Sequence, residues 1–145
     1  MPTSNAIAFV FFDIGVTLGD RDPATGKLIP FPSTLRLMTD VRDLLGLPMG
    51  VITTLGQLTN AAGLDLLDRA GLKGFLHPNG FVSEHDVHEK GKPRPEIYRF
   101  AANKVGVPVE QCLFVGENLT EVMGALTAGM RAILKPCPPG RDLVV

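Results

Sequence analysis

Cysteine is scarce, positive charge is dispersed and no apolar run is long, and each shortage removes a class of protein. The chain has 2 cysteines. Cys112 and Cys137 stand apart and cannot make the disulfide framework of a small secreted domain. Cys112 lies in an apolar run and reads as a small buried hydrophobe. Cys137, between Pro136 and Pro138, reads as exposed and without a role. Lys and Arg number 14 against 15 Asp and Glu, a formal net charge of −1, and no basic cluster interrupts the mixture. Nothing therefore signals a nucleic-acid or anionic-membrane surface. No apolar run approaches the roughly 20 residues of a membrane-spanning helix. The N-terminus lacks the basic region and small-residue cleavage site of a secretory signal, so a cytoplasmic location is expected. Internal repeats, linkers and low-complexity segments are also missing. At 145 residues the chain is expected to form one domain, 1–145, with room for one good core.

What the sequence does contain is organised around residues 7–18, Ile-Ala-Phe-Val-Phe-Phe-Asp-Ile-Gly-Val-Thr-Leu. An unbroken apolar run from Ile7 to Phe12 stops at Asp13. Such a run, rich in Phe and β-branched residues, predicts a strand buried on both faces of a parallel sheet. Asp13 is thus placed at the carboxyl end of a central strand, where open α/β sheets bind ligands. Taken alone, an Asp there reads equally well as a turn residue. Gly15 and Gly19 let the following loop turn tightly.

Turn chemistry is dense over residues 19–32, where Asp22-Pro23 and Thr25-Gly26 predict the tip of a flap-like hairpin. Ser33 is expected to cap a helix running to about Leu45, with Leu37, Val41, Leu44 and Leu45 on one face. Met49 to Ile52 predicts a second strand, ending on Thr53 and Thr54. A helix over 58–70 follows, with Leu64, Leu67 and Ala70 at helical spacing. His77-Pro78-Asn79-Gly80 reads as a turn, and Phe81 to Ser83 as a short third strand near the sheet edge. Pro95 suits the first turn of a helix to about Val105. Cys112 to Val115 predicts a fourth strand, Thr120 to Ala128 a helix and Arg131 to Leu134 a fifth strand. An irregular tail is expected over 135–145. Alternating strands and helices imply a Rossmann-like, doubly wound parallel sheet of five strands with helices on both faces and no large cap domain. Asp13, Thr53, Lys92 and Glu117 then fall in loops at one edge. His85 and His88 are spaced like partial metal ligands, but they lie in a polar loop with no Cys partner and are not taken as a metal site.

Four signatures in order now resemble the haloacid dehalogenase-like superfamily. Asp13-Ile14-Gly15-Val16-Thr17 is similar to the family's D-x-D-x-T. Val51-Ile52-Thr53 gives the Thr that ends an apolar strand. Lys92-Pro93-Arg94-Pro95 gives the Lys before a helix. Gly116-Glu117-Asn118-Leu119-Thr120-Glu121 is similar to G-D-x-x-x-D. The resemblance implies a magnesium-dependent phosphatase working through an aspartyl-phosphate intermediate. It implies Asp13 as nucleophile and metal ligand, Lys92 and Thr53 as phosphoryl-binding groups, and the Gly15 carbonyl, Glu117 and Glu121 around Mg2+. A carboxylate nucleophile splits one difficult displacement into two, and two anions meeting need positive charge nearby.

The chain departs from that pattern twice. The second Asp, the family's general acid and base, is replaced by Gly15, a loss worth about 10² to 10⁴ in rate. Both acidic positions of the fourth signature are Glu, whose length must be accommodated by the near-octahedral geometry of magnesium. The gaps after Thr17 and Thr53 hold no cap, so an open site for a large or macromolecular phosphorylated substrate, or a partner subunit as lid, is expected. A catalytically impaired binding or regulatory protein is the alternative. A response-regulator-type phosphoacceptor fits poorly, because its acceptor would end the third strand.

Overall fold

The computed structural model describes residues 6–136. Cys137 and the apolar Leu143-Val144-Val145 end therefore lie outside the described residues. Strand β1 (Phe9–Phe12) is buried at every position, which is why its sequence shows no alternation. Alternation is present nonetheless, as a division of the core. Phe9 and Phe11 join one apolar cluster with Ile97, Tyr98, Phe114 and Ala125. Val10 and Phe12 join the other with Met38, Val51, Leu67 and Phe81. Successive side chains point to opposite sheet faces, and a helix layer covers each.

The hairpin strands β2 (Gly19–Arg21) and β3 (Leu28–Pro30) pair with each other. Helix α1 (Thr34–Asp43) leads to β4 (Met49–Thr53), and α2 (Asn60–Arg69) to β5 (Leu76–Ser83). Helix α3 (Pro95–Val105) precedes β6 (Cys112–Gly116), and α4 (Leu119–Thr127) precedes β7 (Arg131–Leu134). The large sheet is parallel throughout, in the order β5-β4-β1-β6-β7. Strand order reverses about β1, so Asp13 sits at the topological switch point.

Three local expectations change. Ser33 precedes α1 but its side chain makes no capping bond, and the helix ends before Leu44 and Leu45. Those two leucines are 78% and 64% exposed, and the buried apolar positions of α1 are Met38 and Val41. His77-Pro78-Asn79-Gly80 is no turn. It bulges within β5, whose partners step from Met49↔Leu76 to Val51↔Phe81. An edge strand tolerates Pro78 because one of its sides needs no ladder donor. Gly50 faces the bulge closely: a Cβ there would lie 2.4 Å from the Gly80 carbonyl oxygen.

On the α1 side, an open apolar trough of about 530 Å³ runs along Val10, Phe12, Val41, Leu113 and Ile133 to Pro136. The opposite face is closed by α3 and α4. There α4 approaches the loop before α3 so closely that a Cβ on Gly124 would sit 2.3 Å from the Pro93 carbonyl oxygen. Gly124→Ala is expected to lower stability by about 1–3 kcal/mol through overpacking, outweighing alanine's better helix propensity. Urea denaturation checks it. Gly15→Ala, whose Cβ would meet nothing within 4 Å, is expected to change the unfolding free energy by no more than about 0.5 kcal/mol.

Candidate functional site

The register sets the ends of the three central strands level. Phe12 is opposite both Val51 and Val115, and the Asp13 amide donates to the Val115 carbonyl at 3.0 Å. Beyond Asp13 the chain makes one tight turn, with the Leu18 amide donating to the Ile14 carbonyl at 2.9 Å. Val16 adopts φ 63° there, a left-handed conformation costly for a β-branched residue. Its amide is held by the Gly19 carbonyl, and the Thr34 hydroxyl donates to the Leu18 carbonyl at 2.6 Å. The turn is thus braced from the hairpin and from α1.

Lys92 is the centre of the site. Its side chain is only 1% exposed, and its Nζ lies 2.6 Å from Asp13 Oδ1 and 2.6 Å from Glu121 Oε1. The Asp13 contact has hydrogen-bond geometry. The Glu121 contact is an ion pair whose Oε1 is buried without a hydrogen-bond partner. The ammonium also lies 5.4 Å from the centre of the Phe114 ring. A buried cation is retained only where its charge is compensated, and here two carboxylates do so.

Glu121 is set by the start of α4. Asn118 caps the helix by accepting from the Glu121 amide at 3.1 Å, and the Tyr98 hydroxyl donates to the Glu121 carbonyl at 2.6 Å. Burial first, then the charges of Glu121 and Asp13, push the Tyr98 phenol far up. It remains a donor at any ordinary pH. The Glu117 amide donates to the Thr17 hydroxyl at 3.2 Å, tying the loop after β6 to the turn after β1. Glu117 itself is half-buried. Thr53 is 4% exposed at the end of β4, and with Gly15 it lines a cavity of about 130 Å³ that also includes Ile14, Arg21, Leu28 and Leu55.

The structure therefore brings Asp13 and Glu121 into contact with Lys92, with Thr53 at the end of β4 and Gly15 and Glu117 on the loops beside them. Asp13, Glu117 and Glu121 carboxylates and main-chain carbonyls are hard-oxygen donors of the kind magnesium takes, but these three carboxylates do not converge within 4.8 Å of one another, and the Lys92 ammonium stands between Asp13 and Glu121.

Sequence reasoning missed Glu84. This carboxylate is 6% exposed and accepts from the Leu55 amide at 2.8 and 3.0 Å and from the Gly56 amide at 2.9 Å, holding the loop that follows Thr53. Burial alone would raise its pKa, but the Leu55 and Gly56 N–H groups outweigh that and hold it below the usual range. No local sequence signal marks it, because its partners lie 28 and 29 residues away. Glu84, His85 and Glu89 also approach one another within 4.8 Å. Their atoms are used internally, because the His85 ring nitrogens face the Glu89 carboxylate and the Leu58 carbonyl, each at 2.8 Å. Both partners are acceptors, so the arrangement favours imidazolium and His85 is shifted upward, first by Glu89 and then by Leu58. His88 is outside that cluster.

Fold and edge together define an α/β protein with a carboxylate–lysine centre at its switch point. The chain belongs to the haloacid dehalogenase-like hydrolase family, which residues 7–129 match. It is 32% identical over 110 residues to a haloacid dehalogenase-like hydrolase domain-containing protein of Arabidopsis thaliana, covering 76% of this chain and 34% of that one. It is 30% identical over 116 residues to the glyceraldehyde 3-phosphate phosphatase of Methanopyrus kandleri, covering 76% and 45%. The chain thus spans less than half the length of these relatives. A crystal structure of an uncharacterized protein from Listeria monocytogenes superposes with a TM-score of 0.76 at 18% identity, covering 94% of this chain and 85% of that one. That likeness concerns the fold.

A carboxylate whose folded pKa is depressed contributes stability above its unfolded value, about 4.3 for Glu, and the contribution is lost as pH falls through the folded value. Glu84→Gln is therefore expected to cost about 1.5–3 kcal/mol near neutral pH, with the gap from the parent narrowing on acidification. Urea denaturation across an acid series checks this. A gap independent of pH would deny the carboxylate its role.

Proposed function

We propose that the protein is a magnesium-dependent phosphatase acting through an aspartyl-phosphate on Asp13, with an open site that has no cap. The observation that carries this reading is the buried Lys92 ammonium, 2.6 Å from Asp13 Oδ1 at the end of the central strand. Lys92 holds the Asp13 carboxylate by one oxygen, Oδ1, and leaves the other oxygen to attack phosphorus as the nucleophile. Its charge also offsets repulsion between that carboxylate and an anionic phosphoryl group. Thr53, at the end of the neighbouring strand, supplies a hydroxyl able to donate to a phosphoryl oxygen.

Asp13, the Gly15 carbonyl, Glu117 and Glu121 are the residues that would hold magnesium. When bound, the ion supplies further positive charge to the phosphoryl oxygens. The open site is supported by the connections: only the β2–β3 hairpin separates Thr17 from α1, and only core elements separate β4 from Lys92.

Gly15 leaves this centre without a side chain to protonate the leaving group or to activate water for the second step. Slow turnover and a persistent phosphorylated Asp13 follow. Related phosphatases such as that of Methanopyrus kandleri support the reaction class. The substrate is expected to be phosphorylated and large enough to cover the site, or covered by a partner.

Phosphate release from p-nitrophenyl phosphate is expected to need magnesium and to vanish in Asp13→Asn. Gly15→Asp, whose Cβ would meet nothing within 4 Å, is expected to raise turnover by about 10²-fold or more. Equal rates for the parent and Asp13→Asn would remove the enzyme reading in favour of a binding protein.

A further inference from the structure

The cavity beside Gly15 bears on what leaves when Asp13 attacks. We propose that the substrate is an acyl phosphate with a small, largely apolar acyl group, and that Arg21 receives the departing carboxylate. The inference rests on the phosphatase reading above, takes its case in which a partner and not the substrate covers the site, and adds the substrate class.

Three observations lead to it. A Cβ built on Gly15 meets nothing within 4 Å, so among the described residues no group occupies the space where the side chain of a general acid would begin. The adjoining cavity of about 130 Å³ is lined by Ile14, Gly15, Leu28, Thr53, Leu55 and Leu58 among others, and Arg21 is its one ionisable residue. Arginine stays charged and cannot deliver a proton at neutral pH. Finally, Arg21 extends from β2 as an exposed residue, and its Nε donates to the Gly26 carbonyl at 3.1 Å, which fixes the guanidinium against the hairpin whose Arg21 and Leu28 line the cavity. Lys92 is committed to Asp13 and Glu121 and Tyr98 to the Glu121 carbonyl, while the Thr53 and Thr54 hydroxyls that also line the cavity can donate a hydrogen bond but are too weakly acidic to protonate a leaving group.

A site without a proton donor discriminates by leaving-group basicity. An alkyl phosphate must expel an alkoxide, which needs protonation as the bond breaks. An acyl phosphate expels a carboxylate, stable as the anion at pH 7. In the first step Asp13 Oδ bonds to phosphorus, the P–O bond to the acyl group breaks, and the carboxylate leaves with the electron pair and no proton. Arg21 is suited to pair with it, since its planar fork matches carboxylate geometry. In the second step water attacks phosphorus, the P–O bond to Asp13 breaks and the Asp13 carboxylate is restored. The proton of the water goes to inorganic phosphate and solvent. The apolar lining and the modest volume restrict the acyl group to a few carbons.

The test compares acetyl phosphate, p-nitrophenyl phosphate and glycerol phosphate with magnesium, each corrected by Asp13→Asn. The expected result is kcat/KM falling in that order, with acyl over alkyl by about 10²-fold or more. Gly15→Asp is expected to narrow that gap by raising the alkyl substrate most. Arg21→Met is expected to lower kcat/KM about tenfold or more for acetyl phosphate, an interaction on the scale of a charge-assisted hydrogen bond. The loss should be smaller for the aryl ester, and Arg21→Lys should restore part of it. Intact-protein mass measurement after acid quench is expected to show one phosphoryl group on the parent and none on Asp13→Asn. Comparable turnover of acyl and alkyl phosphates by the parent, or an Arg21→Met loss equal for all substrates, overturns the proposal and leaves the phosphatase reading standing. No release from any of the three together with no phosphoryl adduct overturns both.

Discussion

One buried ammonium ties the site together. The Lys92 side chain is nearly inaccessible, and Asp13 and Glu121 flank its ammonium at 2.6 Å each. The three residues lie on separate parts of the chain, so the contact exists only once the sheet, α3 and α4 have assembled. Neighbouring packing works to the same end. Gly124 admits the Pro93 backbone against α4, Pro95 opens α3 directly beyond, and Phe114 on β6 offers its ring face to the ammonium. Replacing any of these shapes shifts the lysine relative to the carboxylates it neutralises.

A second anchor serves the other half of the edge. Glu84 reaches from the end of β5 to the loop after β4, so the edge strand holds the segment that follows Thr53. Ser83 and Asp86 complete a capping box beneath it, and Asn60 at the start of α2 donates to Asp86 at 3.0 Å. The turn after β1 stores strain at Val16, braced by the Gly19 carbonyl and by Thr17 against the Glu117 loop. The loops at this edge are thus fixed before any ligand arrives, which suits a centre relying on preorganised charge.

Much of this was legible in the sequence. The apolar run ending at Asp13 placed the central strand, because burial on both faces removes polar residues from every position. Pro95 marked the start of α3 by its fixed φ, and the helix ends at Val105 as expected, where Gly106 closes it with a left-handed cap at φ 72°. The bulge in β5 was hidden because Pro78, Asn79 and Gly80 carry turn chemistry, while their place in a strand depends on pairing with Gly50. Leu44 and Leu45 continued the apolar periodicity of α1 beyond the hydrogen-bonded helix, so periodicity alone overran its end. Glu84 escaped notice because a carboxylate that binds backbone amides across 28 and 29 residues has no local pattern.

Stability alone does not account for the Asp13–Lys92–Glu121 arrangement. Well-packed apolar side chains in place of a buried ion triad are often neutral or stabilising by about 1–4 kcal/mol. A scaffold that only needed to hold its fold would lose nothing by making that exchange next to Phe114. The scaffold here instead keeps a compensated cation and two carboxylates at the one place where ligands enter a doubly wound sheet, while Gly15 beside them leaves room unfilled. Charge retained and space left open at the same edge are what a reacting anion requires. A purely structural core would have neutralised the first and packed the second.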